Sequence, residues 1–155
     1  MTDAILEIEN LTIEYRADTP PLRAVNGLDC RIAKGGALGI VGESGSGKST
    51  LALAVMGLLD GVARIATGRI IFQGDDLCRL PASAMRRIRG RRIGMVFQDP
   101  FTSLNPAITV GRQIAEPLVL HRDMAEEAAL READRLLTEV GIPHVERVRA
   151  AYPHQ

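Results

Sequence analysis

The sequence predicts an α/β domain, and three observations support that class. Residues 5–15 alternate apolar and polar positions, the period-two pattern of a half-buried strand. A glycine-rich segment, Gly42-Glu43-Ser44-Gly45-Ser46-Gly47-Lys48-Ser49-Thr50, separates the apolar run at residues 37–41 from a second at residues 51–56. Beyond residue 109 the apolar positions recur at helical spacing instead.

Each element follows in order. The first strand carries Leu6, Ile8, Leu11, Ile13 and Tyr15 on one pattern, with a turn at Asn10 where the alternation slips. A loop follows at residues 18–21, with Pro20 and Pro21. Ala24-Val25 and residues 28–32 read as a further strand or two, and Lys34-Gly35-Gly36 turns into a strand at 37–41. A helix is predicted from about Lys48 to Leu59, ending at Asp60-Gly61. Residues 68–73 form a short apolar strand. The connections among these early strands are too short for crossover helices, so they are expected to pair antiparallel.

Pro81 suits the first turn of a helix through Ile88, which Gly90 stops. Ile93-Gly94-Met95-Val96-Phe97 is a continuous apolar run, expected as a buried parallel strand. A loop covers residues 98–106. Thr109 caps a helix to about His121, and Asp123 with Glu126 makes a capping-box-like start for another. Leu130, Ala133, Leu137 and Val140 give that helix its apolar stripe, Gly141 ends it, and Glu127 and Arg131 are spaced to pair.

Composition bounds what the chain does. Its 155 residues carry a formal net charge of +0 and are 46% hydrophobic, enough for a core. Zero net charge argues against nucleic acid or an anionic membrane as a general partner. Cys30 and Cys78 offer neither metal spacing nor a disulfide framework; buried, reduced thiols in a cytosolic setting are expected. His121, His144 and His154 lack ligand spacing. No apolar run approaches the ~20 residues of a spanning helix, and the N-terminus lacks a signal-peptide layout, so membrane association is expected only through a partner. The basic cluster Arg86, Arg87, Arg89, Arg91 and Arg92 has no interleaved aromatics and reads as a solvated helix end.

The glycine-rich segment has the G-x-x-x-x-G-K-[ST] form of a phosphate-binding P-loop, with a strand expected before it and a helix after. Gly42, Gly45 and Gly47 allow the tight backbone that turns successive N–H groups inward as an anion nest, with Glu43, Ser44 and Ser46 between them. The helix aims its positive end at the same phosphates. Lys48 supplies a point charge for the β/γ oxygens, Ser49 a hydroxyl ligand for magnesium, and Thr50 reaches the α-phosphate. Gln98 follows the expected buried strand, at the carboxyl end where an open α/β sheet binds ligands. Its amide oxygen is placed to hold magnesium or the attacking water.

With the P-loop and Met95-Val96-Phe97-Gln98-Asp99-Pro100 in hand, the chain resembles the nucleotide-binding subunit of an ABC transporter. Phe101-Thr102-Ser103-Leu104-Asn105-Pro106, followed by Thr109-Val110-Gly111, resembles the oligopeptide/dipeptide/nickel uptake branch. The resemblance implies a P-loop NTPase with an antiparallel β-subdomain, an incomplete parallel core sheet and part of a helical subdomain. Residues 1–100 then hold the β-subdomain, P-loop and Q-loop, and residues 101–155 the partial helical part. It implies ATP and magnesium as cofactors, with Lys48 and Gln98 in catalytic roles and Ser49 and Gln98 at the metal. Tyr15 falls where the family places an aromatic that stacks on adenine, and Val25 packs near the same base. Transmembrane permease subunits and a second ATP-binding subunit are the implied partners, at the cytoplasmic face of the plasma (inner) membrane. Phe101 and Leu104 lie where the family couples to its membrane subunit.

The sequence departs from the family in one respect. Members continue after a segment like Tyr152-Pro153-His154-Gln155 with a Leu-Ser-Gly-Gly-type signature, a Walker B aspartate and glutamate, and a switch histidine, none of which is here. The expectation is an ATP-binding piece of a peptide-import motor that does not turn over alone and folds marginally. The alternative is a non-hydrolysing module that binds ATP or the membrane partner. A GTPase would need Asp-x-x-Gly and Asn-Lys-x-Asp motifs, which are absent, and a chromosome-type ATPase a long coiled-coil insertion after Gln98.

Overall fold

Leu11, Ile13 and Ile70 are the largest fully buried side chains, and they set the first core on a central strand and its neighbour. The structure, a computed structural model, describes residues 4–16, 20–99 and 103–155. It divides into two compact units, one ending at Arg86 and one from Arg87 to Gln155.

The first unit is built on an antiparallel sheet, as the short connections require. Strands β1 (Ala4–Tyr15), β2 (Leu22–Ala33), β3 (Ala63–Phe72) and β4 (Asp75–Asp76) lie in the order β2-β1-β3-β4. β2 is one strand rather than two pieces. β3 starts at Ala63 rather than residue 68, because its first residues pair with the end of β1, Tyr15 opposite Ala63 and Glu14 opposite Arg64. The slip at Asn10 is real. Asn10 has φ 45°, and the ladders to both neighbours shift register there. Its N–H donates to Asp29 Oδ1 at 2.8 Å. Opposite it, Gly68 has φ 91°, and a Cβ there would lie 2.4 Å from the Asn10 carbonyl oxygen, so the bulge admits only glycine.

Helix α1 (Lys48–Val55) ends before residue 59. The Gly57 N–H turns back to Ala54 O and the Leu58 N–H to Leu53 O, the paired bonds that close a helix. A short 3-10 turn (Leu77–Arg79) follows β4 and buries Leu77; α2 (Ala82–Ile88) spans the division between the units.

Two expected elements do not form. Residues 37–41 and 94–97 carry no strand, and Ile93 makes only an isolated parallel bridge with Arg89. The parallel core sheet is therefore not built among the described residues. Val41 and Val96 are each 97% exposed, the reverse of the buried-strand expectation. A parallel strand needs a hydrogen-bonded neighbour, and the described residues offer neither segment one. Cys78 is exposed and Cys30 half-buried, so neither is the buried thiol expected.

The second unit packs α3 (Val110–Arg122), α4 (Glu126–Glu139) and α5 (Val145–Ala150). Ala115, Leu118 and Ala129 form its core with Met124 and Leu130 against them. Asp123 is not part of a capping box: at φ 52° it ends α3, and Ala125 caps α4. The ion pairing on α4 falls on Arg135 with Glu132 and Glu139 rather than on Glu127 and Arg131. Arg149 ties the three helices together. Its stem packs over Gly111 of α3, and its Nη1 donates to Asp134 Oδ2 of α4 at 2.7 Å.

Candidate functional site

The P-loop takes its shape from contacts that the sequence supplies locally. Gly47 precedes α1 with φ 89°, and a Cβ there would meet the Ala24 carbonyl oxygen at 2.2 Å. No other residue brings the helix start this close to β2. Leu51 N–H donates to Gly47 O at 2.9 Å, the first bond of the helix. The N–H groups of the first turn lie ahead of that bond, without intrahelical acceptors, as an anion site requires. Ser46 N–H donates to Glu43 O at 3.3 Å and closes the turn.

Lys48 folds over this loop. Its Nζ donates to Gly42 O at 2.8 Å, Glu43 O at 2.6 Å and Ser46 Oγ at 3.1 Å. All three acceptors are neutral, so none of them offsets a positive charge beside the loop. Tyr15 reaches the same place from the end of β1, its hydroxyl 3.1 Å from Thr50 Oγ1. Thr50 is buried.

A cleft of about 480 Å³ lies between these groups, lined by Tyr15, by the loop from Gly45 through Thr50, and by Leu22, Arg23 and Ala24 of β2. Among the described residues no carboxylate lines it. A second cleft of about 290 Å³ has Val25, Ile40, Gly42 and Lys48 in its wall. Val25 thus lines the second cleft and not the one that Tyr15 lines. Glu43, Ser44 and Ser49 are exposed. Gln98 belongs to the second unit, exposed at a bend.

Sequence reasoning missed Leu22 and Arg23. What brings them here is the β1–β2 register, with Leu22 opposite Tyr15 and Arg23 opposite Glu14. The alternation in residues 5–15 indicated a strand but not its partner.

In the second unit, the loop after the Q-loop is held by Gln113, with Asn105 adding a bond of its own. Gln113 Oε1 accepts from Asn105 N–H at 2.8 Å, while its Nε2 donates to Asn105 O at 2.9 Å and Ile108 O at 2.7 Å. Asn105 Oδ1 accepts from Ala107 N–H at 2.9 Å. Leu104 of this loop is 39% exposed; Phe101 and Pro100 lie outside the described residues.

The family described as ABC transporter matches residues 25–155, most of the chain and all of its P-loop. The chain belongs to the ABC transporter family. Among its relatives, the dipeptide transport ATP-binding protein DppD of Bacillus subtilis (strain 168) is 43% identical over 154 residues, 99% of this chain and 46% of the relative. The oligopeptide transport ATP-binding protein OppD of Escherichia coli (strain K12) is 41% identical over 153 residues, 99% of this chain and 45% of the relative. This ABC chain therefore spans about half the length of the curated relatives it matches. A solved structure of the ATP-binding cassette MJ0796, a dimer in a post-hydrolysis state bound to ADP and Pi, superposes with a TM-score of 0.83 at 25% identity. That match covers 97% of this chain and 62% of MJ0796. The mixed α/β fold of an ABC cassette is thus shared. Among the described residues no helix is long and apolar enough to cross a membrane.

Proposed function

We propose that this ABC chain binds ATP with magnesium at the P-loop, as the nucleotide-holding part of a peptide or related small-solute importer. The observation that carries the reading is the loop itself: three-way-tethered Lys48 and the open first turn of α1 face a cleft that no carboxylate lines among the described residues. Such a site suits an anion of high charge density. Ser49 is the proposed magnesium contact of the P-loop: its hydroxyl is a hard donor of the right kind, and an octahedral magnesium takes its remaining places from water and phosphate. Tyr15 is the proposed adenine platform, with Thr50 at the α-phosphate. Permease subunits, a second ATP-binding subunit and the cytoplasmic membrane face are proposed from what the relatives are called and from the dimeric cassette.

Turnover is a separate matter. Lys48 and Gln98 are the proposed catalytic groups, but among the described residues no acid lines the P-loop cleft to polarise an attacking water. The chain by itself is proposed to bind without sustained hydrolysis.

Titration calorimetry with ATP and magnesium tests both parts. Saturable binding that requires magnesium and is abolished by Lys48→Ala is expected. Binding that Lys48→Ala leaves intact refutes the site, and steady-state phosphate release lost in Lys48→Ala refutes the non-hydrolysing reading.

A further inference from the structure

The P-loop cleft has a second cation that the P-loop motif does not include. Arg23 lines it beside Tyr15, Lys48 and Thr50. It is held there by a buried carboxylate. Glu14, opposite Arg23 in the β1–β2 ladder, is 6% exposed. Arg23 Nε donates to Glu14 Oε1 at 3.2 Å, and Arg64 Nη2 of β3 donates to the other oxygen at 3.1 Å. Three adjacent strands thus contribute to one buried carboxylate with a guanidinium on each oxygen.

This arrangement differs from an exposed ion pair in two ways. Removing either partner would leave Glu14 buried and under-compensated, so the geometry is held. The charges also do not cancel: two guanidiniums share one carboxylate, and of these three groups Arg23 is the one that lines the cleft. Because Glu14 engages Arg23 through Nε, the two terminal nitrogens of the fork keep their donors for a ligand. The neighbouring residue fixes how far that fork stands from the loop, because the Ala24 carbonyl is the atom against which Gly47 rests.

We propose that Arg23 is a further phosphate-binding residue of this cleft, positioned by Glu14 and Arg64. The proposal rests on the nucleotide-binding reading above. The bases of nucleotides are neutral and their phosphates are not. Arg23 beside Lys48, in a cleft that no carboxylate lines among the described residues, is therefore matched to the phosphate chain.

Binding of ATP with magnesium, and of inorganic triphosphate, to the 155-residue chain at fixed ionic strength tests this, with circular dichroism to check folding. Arg23→Gln is expected to weaken both ligands about tenfold, the worth of one charge-assisted hydrogen bond. Arg23→Lys keeps the charge without the fork and falls between. Arg64→Gln, which removes one of the two guanidiniums that hold Glu14 but leaves the Arg23–Glu14 contact in place, is expected to lose less than Arg23→Gln, and Arg69→Gln on the same sheet stays near wild type. Wild-type affinity in Arg23→Gln overturns the proposal while the nucleotide reading stands. An equal loss in Arg64→Gln overturns it by showing a purely structural triad. A loss for ATP with none for inorganic triphosphate overturns the phosphate contact. Absence of magnesium-dependent binding in the wild type, or binding indifferent to Lys48→Ala, overturns the nucleotide reading and this proposal with it.

Discussion

Gly45 and Gly47 make a matched pair within one loop, and alanine at each separates two costs. Both have positive φ, 81° and 89°. Alanine at either therefore takes left-handed strain of about 1–2 kcal/mol. They differ in what surrounds them. A Cβ at Gly45 meets nothing within 4 Å, whereas at Gly47 it lies 2.2 Å from Ala24 O and 3.4 Å from Val25 Cγ2. Reaching an ordinary contact of 3.4 Å would push the carbonyl and the helix start apart by about 1.2 Å, the difference of those two distances. Both are backbone, one in a strand and one at a helix end, so neither yields as a side-chain tip would. Overpacking of this kind costs about 1–3 kcal/mol. Gly47→Ala should therefore be less stable than Gly45→Ala by that amount, a difference in melting temperature on the order of 10 °C for a unit of this size. Thermal melts followed by circular dichroism measure it, and ATP titrations should show the larger loss of affinity in the same variant. Equal melting of the two, with binding retained in Gly47→Ala, would refute the claim that β2 braces the loop.

Three other outcomes are expected. Tyr15→Phe keeps the ring and removes the partner of buried Thr50, so urea unfolding should show a loss of about 1 kcal/mol while base preference is unchanged. Gln113→Ala removes all three of its bonds to Asn105 and Ile108; amide exchange at residues 105–108 should speed up while the α4 amides keep their protection. The hydrogen bond from Arg135 holds the Glu132 carboxyl below the usual range. A lowered folded value means that the pair's stabilisation is present above the ordinary glutamate range and lost as pH falls through the lowered value. Acid titration of wild type against Glu132→Gln should show that loss in the wild type alone.

The sequence made some features legible and left others dark, and the division has a physical cause. Local signals held where the information is local. The Asn10 slip, the Gly90 and Gly141 stops and the P-loop itself all depend on residues a few positions apart. The Asp123–Glu126 box failed because Asp123 served equally well as the left-handed end of the preceding helix, and a sequence does not say which helix claims it. Arg23 and Leu22 were invisible because register, not spacing, brings them to Tyr15. Residues 37–41 and 94–97 show the limit most plainly. Their apolar character reads as buried strand, but a strand is a relation between segments, and no described residue completes it.

That last failure sharpens what holds the candidate site. A P-loop is ordinarily pictured as hung from the strand before it, yet here the loop is formed without any ladder through residues 37–41. Its supports lie elsewhere. Ala24 of β2 braces Gly47, Gly47 O receives the first helical bond from Leu51, and Lys48 fastens the loop's start at Gly42 and Glu43 to its end at Ser46. These contacts run to β2 and within the loop, all inside the first unit. The geometry of the loop is therefore a property of the antiparallel sheet and α1 together. A perturbation of β2 at Ala24 should reach the loop more directly than one at Val41, a residue that is 97% exposed.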